Sequence, residues 1–148
     1  MKKFLIIVTA IIFIFPALLS ADRILIPMDH TQNDHLKAYG VAFYCLQQGY
    51  KVEWLLNFRA GAFLTPSRED IGEICLLRGV SYETISNSEA ENIYRTIETE
   101  NMEVILLEKP PEVAIYSPPN KEPWDDAVTL ALTYAEIPYT TLWDEEML

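Results

Sequence analysis

From Arg23 onward the chain alternates short apolar runs with longer stretches of helical spacing. Arg23 to Met28 is apolar and closed by Pro27 and a polar loop, the pattern of a buried strand. Leu36, Tyr39, Phe43 and Leu46 recur at three, four and three residues, predicting a helix from Leu36 to Gln48. Asp34 can cap that helix and Gly49 can end it. Lys51 to Leu55 reads as a second strand, followed by a loop over Asn57 to Ala62. Ser67-Arg68-Glu69-Asp70 has the form of a capping box for a second helix, burying Ile71, Ile74 and Cys75 and closing at Gly79. Val80 to Ile85 is a third strand, and Ser88-Glu89-Ala90-Glu91 opens a third helix that buries Ala90, Tyr94 and Ile97.

Glu103 to Leu107 fits a helical turn or a strand, with helix preferred, and Pro110 and Pro111 end it either way. Val113 to Tyr116 is a fourth strand, and a Pro-rich loop runs from Ser117 to Pro123. Val128, Ala131, Leu132 and Ala135 then give core spacing for a fourth helix, and Tyr139 to Trp143 a fifth strand. Asp144-Glu145-Glu146 resembles another helix opening, so the chain is expected to be the N-terminal part of a longer protein. Strands alternating with helices predict a doubly wound α/β domain over 22–148: a three-layer sandwich around a mostly parallel five-stranded sheet. The fourth strand should then lie in the same sheet as the first. An internal echo at an offset of 89 residues supports two related βαβ units: Ile26, Ala38, Ala42, Tyr50 and Trp54 match Ile115, Ala127, Ala131, Tyr139 and Trp143. Shared apolar spacing between any two βαβ units gives such matches as well.

The first 21 residues change the picture of compartment. Lys2 and Lys3 precede an apolar run from Phe4 to Phe15, and Pro16 to Ala21 supplies a break and small residues. This is the layout of a secretory signal peptide, with cleavage expected after Ala21 and a periplasmic or secreted product. The alternative is an uncleaved membrane anchor, but the run is shorter than the roughly 20 residues a spanning helix needs; once it is cleaved, no stable membrane insertion is expected. Without Lys2 and Lys3 the chain carries 9 basic against 22 acidic residues, a net −13. That balance argues against nucleic acid and anionic membrane surfaces as partners. Cys45 and Cys75 each fall mid-helix on an apolar face, where unpaired buried thiols usually sit. They come within reach of each other only if the first two helices share one face of the sheet.

Candidate chemistry concentrates in Asp29-His30-Thr31-Gln32-Asn33-Asp34-His35, which holds both histidines of the protein at a strand–helix junction. Three readings are open: a hydrogen-bonding ligand loop, ordinary turn and capping chemistry, or a metal site. The spacing matches no metal template, and neither a metal nor a cofactor is expected. No glycine-rich phosphate loop and no G-x-S-x-G or G-x-C-x-G elbow is present. Helix starts carry acids instead, Asp34, Glu69, Asp70, Asp125 and Asp126, which suit helix dipoles and repel anions. Arg59 in the second loop offers a guanidinium able to clamp a carboxylate.

The run Pro123-Trp124-Asp125-Asp126-Ala127-Val128-Thr129-Leu130-Ala131-Leu132-Thr133-Tyr134-Ala135 resembles a group of exported bacterial proteins commonly labelled asparagine synthetase B. Ile24 to Asp29, Leu36 to Ala42, Lys51 to Asn57 and Leu142 to Glu146 are similar to that family too. The resemblance implies a class I glutamine-amidotransferase-like, flavodoxin-like architecture. The activity in the label finds no support here: position 2 is Lys, not the N-terminal catalytic Cys, and Ser-Gly-Gly-x-Asp-Ser is absent.

In a parallel sheet, loops that follow strands meet along one edge, where ligands bind. The expected crevice therefore combines Asp29, His30, Asn33 and His35 with Asn57 and Arg59, and with Ser117, Asn120, Asp125 and Asp126. Those groups suit a small polar or zwitterionic molecule, or a protein partner; self-association is left open. The alternative is an amidotransferase-like hydrolase in which His30 or His35 is a general base and the nucleophile lies beyond Leu148.

Overall fold

The computed structural model describes residues 22–118, 120 and 126–144. In chain order they form β1 (Arg23–Ile26), α1 (His35–Gln47), β2 (Val52–Leu56), a 3-10 turn (Phe58–Ala60), β3 (Ala62–Pro66), α2 (Glu69–Arg78), β4 (Glu83–Ile85), α3 (Asn87–Thr99), β5 (Glu103–Leu107), β6 (Ala114–Tyr116), α4 (Ala127–Ala135) and β7 (Thr140–Leu142).

The main sheet has five strands in the order β4-β1-β3-β2-β5, and every neighbouring pair is antiparallel. The mostly parallel, flavodoxin-like sheet expected from the sequence is therefore not the fold. The first cause is one inserted strand. In the sequence a loop ends at Ala62 and Phe63 to Pro66 falls in no predicted element; Phe63-Leu64 is a very short apolar run followed by Thr65 and Pro66. Ala62–Pro66 forms β3, whose first four residues are buried, and it hydrogen-bonds to β1 on one side and β2 on the other. β1 and β2 still run in the same direction, as a βαβ crossover requires, but β3 occupies the slot between them. β3 and β4 are likewise joined through α2 with β1 between them. The connectivity β1-α1-β2-β3-α2-β4 with order 4-1-3-2 is that of the split βαβ, ferredoxin-like arrangement. α3 and β5 extend it.

The stretch Glu103–Leu107, for which helix was preferred, is the edge strand β5. It pairs with β2 over five positions, from Val52↔Leu107 to Leu56↔Glu103. β-branched Val104 and Ile105 suit that role, and tertiary pairing decides a segment too short to choose by itself.

The sheet alternates its side chains cleanly. Ile24, Ile26, Val52 and Phe63 face α1 and α2, packing on Ala38, Val41, Ala42, Cys45, Ile71 and Cys75. Leu25, Leu55, Ala62, Leu64 and Ile85 face α3 through Ala90 and Ile97. Each fully buried Leu or Ile here contributes about 1.5–3 kcal/mol relative to exposure. α1 packs by only half of its large-residue stripe: Phe43 and Leu46 are buried, whereas Leu36 and Tyr39 are 43% and 44% exposed. Its small residues Ala38 and Ala42, with Val41 and Cys45, sit at the sheet, and two sides of the helix are in use. Both cysteines are buried on the same face and free. Burial pushes each thiol up to about 12.

Caps follow local chemistry. Asp34 caps α1 by accepting from the Lys37 amide at 2.9 Å. The box expected at Ser67 is not formed, because α2 is capped by Arg68 with no side-chain bond. A complete capping box exists instead at α3, between Ser86 and Glu89.

β6 lies outside the main sheet. It pairs in parallel with β7 as a separate two-stranded sheet, with α4 as the crossover. α4 docks on α1 so closely that a Cβ built on Gly40 would lie 1.9 Å from the Ala135 carbonyl oxygen. Glu136, in a left-handed conformation just after α4, accepts from Lys37 and is paired with Arg78, each at 2.6 Å. The Tyr134 hydroxyl donates to Asp34.

Candidate functional site

β1 and β2 end on the same edge of the main sheet, and β4 begins there. Three loops therefore converge by topology alone. Asp29, directly after β1, meets Arg59 in the turn between β2 and β3: Arg59 Nε donates to Asp29 Oδ2 at 2.8 Å. Arg59 Nη1 donates to Glu83 Oε1 at 2.6 Å, and Nη2 to Thr31 Oγ1 at 2.8 Å. The backbone NH of Met28 donates to the Arg59 carbonyl at 3.1 Å. The turn needs this anchorage: Asn57, Arg59 and Ala60 all have positive φ, a costly conformation for residues with a Cβ.

The guanidinium is thus consumed within the protein. Its hydrogen bond, with those from Thr31, holds the Asp29 carboxyl well below the usual carboxylate range. Asp29 and Glu83 in turn hold Arg59 protonated more firmly. Asp29 also accepts from the Thr31 amide at 3.0 Å, the geometry of an Asx turn. The cluster reads as a latch joining the β1–α1 loop, the β2–β3 turn and β4. A carboxylate ligand would have to displace two carboxylates to reach Arg59.

Gln32 plays a similar part with no charge. It is buried, and its amide donates to the carbonyls of Pro27 and Ser81 at 2.8 and 3.1 Å while accepting from the Ser81 amide at 2.8 Å. The His35 Nε2 lies 3.1 Å from the carbonyl oxygens of both Met28 and Asp29. Between two acceptors that nitrogen carries the proton, which fixes the ring as a loop brace rather than a base acting through Nε2. His30, Asn33 and Asn57 are exposed, and their side chains hydrogen-bond no other described residue.

The third expected segment does not join this edge. The Ser117 amide donates to the Leu142 carbonyl at 3.0 Å, extending the β6–β7 pair. Asn120 is an exposed turn residue. Asp126 caps α4 by accepting from the Val128 amide at 2.9 Å. Asp125 lies outside the described residues, as does Trp124. The common edge required a single parallel sheet, and β6 belongs to another one. Among the described residues, no group of three or more His, Cys, Asp or Glu is placed to hold a metal ion.

A second place has different chemistry. On the sheet face next to α1, Trp54 and Phe63 are cross-strand partners, stacked with centroids 6.2 Å apart and planes at 26°. Tyr39 of α1 meets Phe63 edge-on at 5.5 Å and 74°. The Trp54 indole NH donates to the Gly61 carbonyl at 3.1 Å, fixing the ring. These three rings form one wall of an open cleft of about 390 Å³. Ala42, Phe43 and Leu46 continue the α1 side, and Leu107 of β5 continues the sheet. Lys109 and Pro111, after β5, and Ile137, after α4, close the third side. Its volume lies within the range of small-molecule pockets, which are mostly apolar with a few placed polar groups.

The sequence spacing puts Tyr39, Phe43 and Leu46 on a core stripe, and Phe43 and Leu46 are indeed buried, while Phe63 falls in no predicted element. The available signal was that α1 is apolar over more of its circumference than one packing face needs. No helix among the described residues is long and apolar enough to cross a membrane. Compared with protein-family models, curated proteins and solved structures, the chain matches none of them.

Proposed function

We propose that this chain, exported through its N-terminal segment, is a non-catalytic ligand-binding domain whose recognition site is the cleft beside Tyr39, Trp54 and Phe63. The observation that carries this reading is the pre-formed aromatic wall. Stacking, edge contact and the indole hydrogen bond hold three rings in place around open space. Rings held that way bind without a large ordering cost. The polar edge at Asp29 and Arg59 favours the reading indirectly. Its strongest donors and acceptors are satisfied by one another, which leaves little there for a ligand.

N-phenyl-1-naphthylamine, a neutral apolar dye whose emission rises on burial, provides the test. One equivalent should bind saturably and quench Trp54, and Tyr39→Ala, a change at a half-exposed position, should weaken binding several-fold. Dye uptake without saturation, or indifference to Tyr39→Ala, would place the site elsewhere and overturn the reading.

A further inference from the structure

Resting on that binding reading, the charge around the cleft narrows the ligand class. We infer that the cleft takes a small amphipathic anion, with an apolar or aromatic body against Tyr39, Phe63 and Trp54 and a carboxylate-like group on Lys109.

Most described cations are already committed. Arg23, Lys37, Lys51, Arg59 and Arg78 are each ion-paired within the chain. Arg68 lies over the Tyr50 ring at 5.6 Å, away from the cleft. Arg95 is exposed on α3, which covers the opposite sheet face. Lys109 lines the cleft, is exposed, and forms no ion pair with another described residue.

Its acidic neighbours are accounted for. Glu108 is engaged by Lys51 at 2.8 Å, which holds its carboxyl below the ordinary range. Glu112 lines the adjoining groove with Phe43 and Pro138 rather than the cleft itself. In a chain of net charge −11, an unopposed ammonium beside an aromatic cleft is a local exception to the overall field. A neutral apolar ligand would make no use of it, and a cationic one would be repelled by it. Pro110 and Pro111 follow Lys109 directly and restrict the backbone of the segment that carries it.

Displacement of N-phenyl-1-naphthylamine by decanoate, decanol and decylamine separates the possibilities. Decanoate should displace the dye at about two- to fivefold lower concentration than decanol, the effect of one exposed charge pair. Decylamine should be the weakest of the three. Lys109→Ala should bring decanoate down to the level of decanol, while Lys109→Arg should keep the preference. Equal displacement by decanoate and decanol, or a preference that survives Lys109→Ala, would overturn the anion inference and leave the binding reading standing. If the dye itself fails to bind, the proposed function has failed before the ligand class is in question.

Discussion

Two βαβ units of this chain carry similar sequence patterns and end in different sheets. In β1-α1-β2 the two strands run the same way but never touch, because β3 is hydrogen-bonded between them. In β6-α4-β7 the two strands pair directly in parallel, from Ala114↔Thr140 to Tyr116↔Leu142. The first unit is covered on both faces and buries Ile26, Val52 and Leu55 almost completely. The second leaves Tyr116, Val128, Leu130 and Tyr134 about half exposed and leans on α1 through Gly40. Periodicity within a βαβ unit therefore determines that two strands run alike, not that they are neighbours. What decides is whether a hairpin partner follows the second strand closely enough to fold back between them.

The sharpest way to break the comparison is to weaken the intervening strand. Leu64→Ala, at a fully buried position of β3, should cost about 2–5 kcal/mol in chemical denaturation and reduce the whole main sheet together. Ile115→Ala, in β6, should first speed amide exchange in β6 and β7 and shift the main transition less. Equal losses at both sites would mean that the two units fold as one and that the contrast drawn here is not energetic.

Next in size is the contact between the units. Gly40→Ala places a methyl against backbone, 1.9 Å from the Ala135 oxygen, and no side chain can yield there. A cost of about 1–3 kcal/mol is expected, with faster amide exchange confined to α4 and its flanking strands. Unchanged protection in α4 would show that the two helices are not in contact.

Much of this was legible in the sequence, and the losses have definite causes. β1, α1, β2, α2, α3, β6, α4 and β7 were expected close to where they are, because each has an apolar period, a cap or a terminating Gly. The misassigned segments were Ala62–Pro66 and Glu103–Leu107, whose identity rests on pairing with distant residues. A five-residue connection, Asn57 to Gly61, was the hairpin signal, blurred by non-glycine residues in the left-handed region at Arg59 and Ala60. At the site, Asp29 and Arg59 were brought together as expected, though by β3's insertion rather than by a parallel edge. The third member of the latch, Glu83, is 24 residues away from Arg59, and no local pattern could reveal it.

A smaller effect separates the latch from the rest. The folded protein holds the Asp29 carboxyl below its ordinary value of 3.8, so its contribution is fully present above that pH and declines as pH falls below it. Denaturant midpoints should drop below about pH 4, and Asp29→Asn should flatten that part of the profile while leaving α4 protection unaltered. A profile identical to the parent would remove the latch from the account. Smallest in energetic terms, Cys45 and Cys75 should resist a water-soluble thiol reagent near pH 8 in the folded chain and both react once it is unfolded. Their burial and raised pKa leave little accessible thiolate.

The most direct measurement concerns Leu64, which is opposite Leu25 in β1 and opposite Glu53 in β2. Cross-strand backbone NOEs from Leu64 to both residues are expected in the same spectrum, with none between the β1 and β2 backbones. Direct β1–β2 NOEs of a parallel pair, with Leu64 unpaired, would contradict the inserted strand, and with it the Trp54–Phe63 wall on which the binding cleft depends.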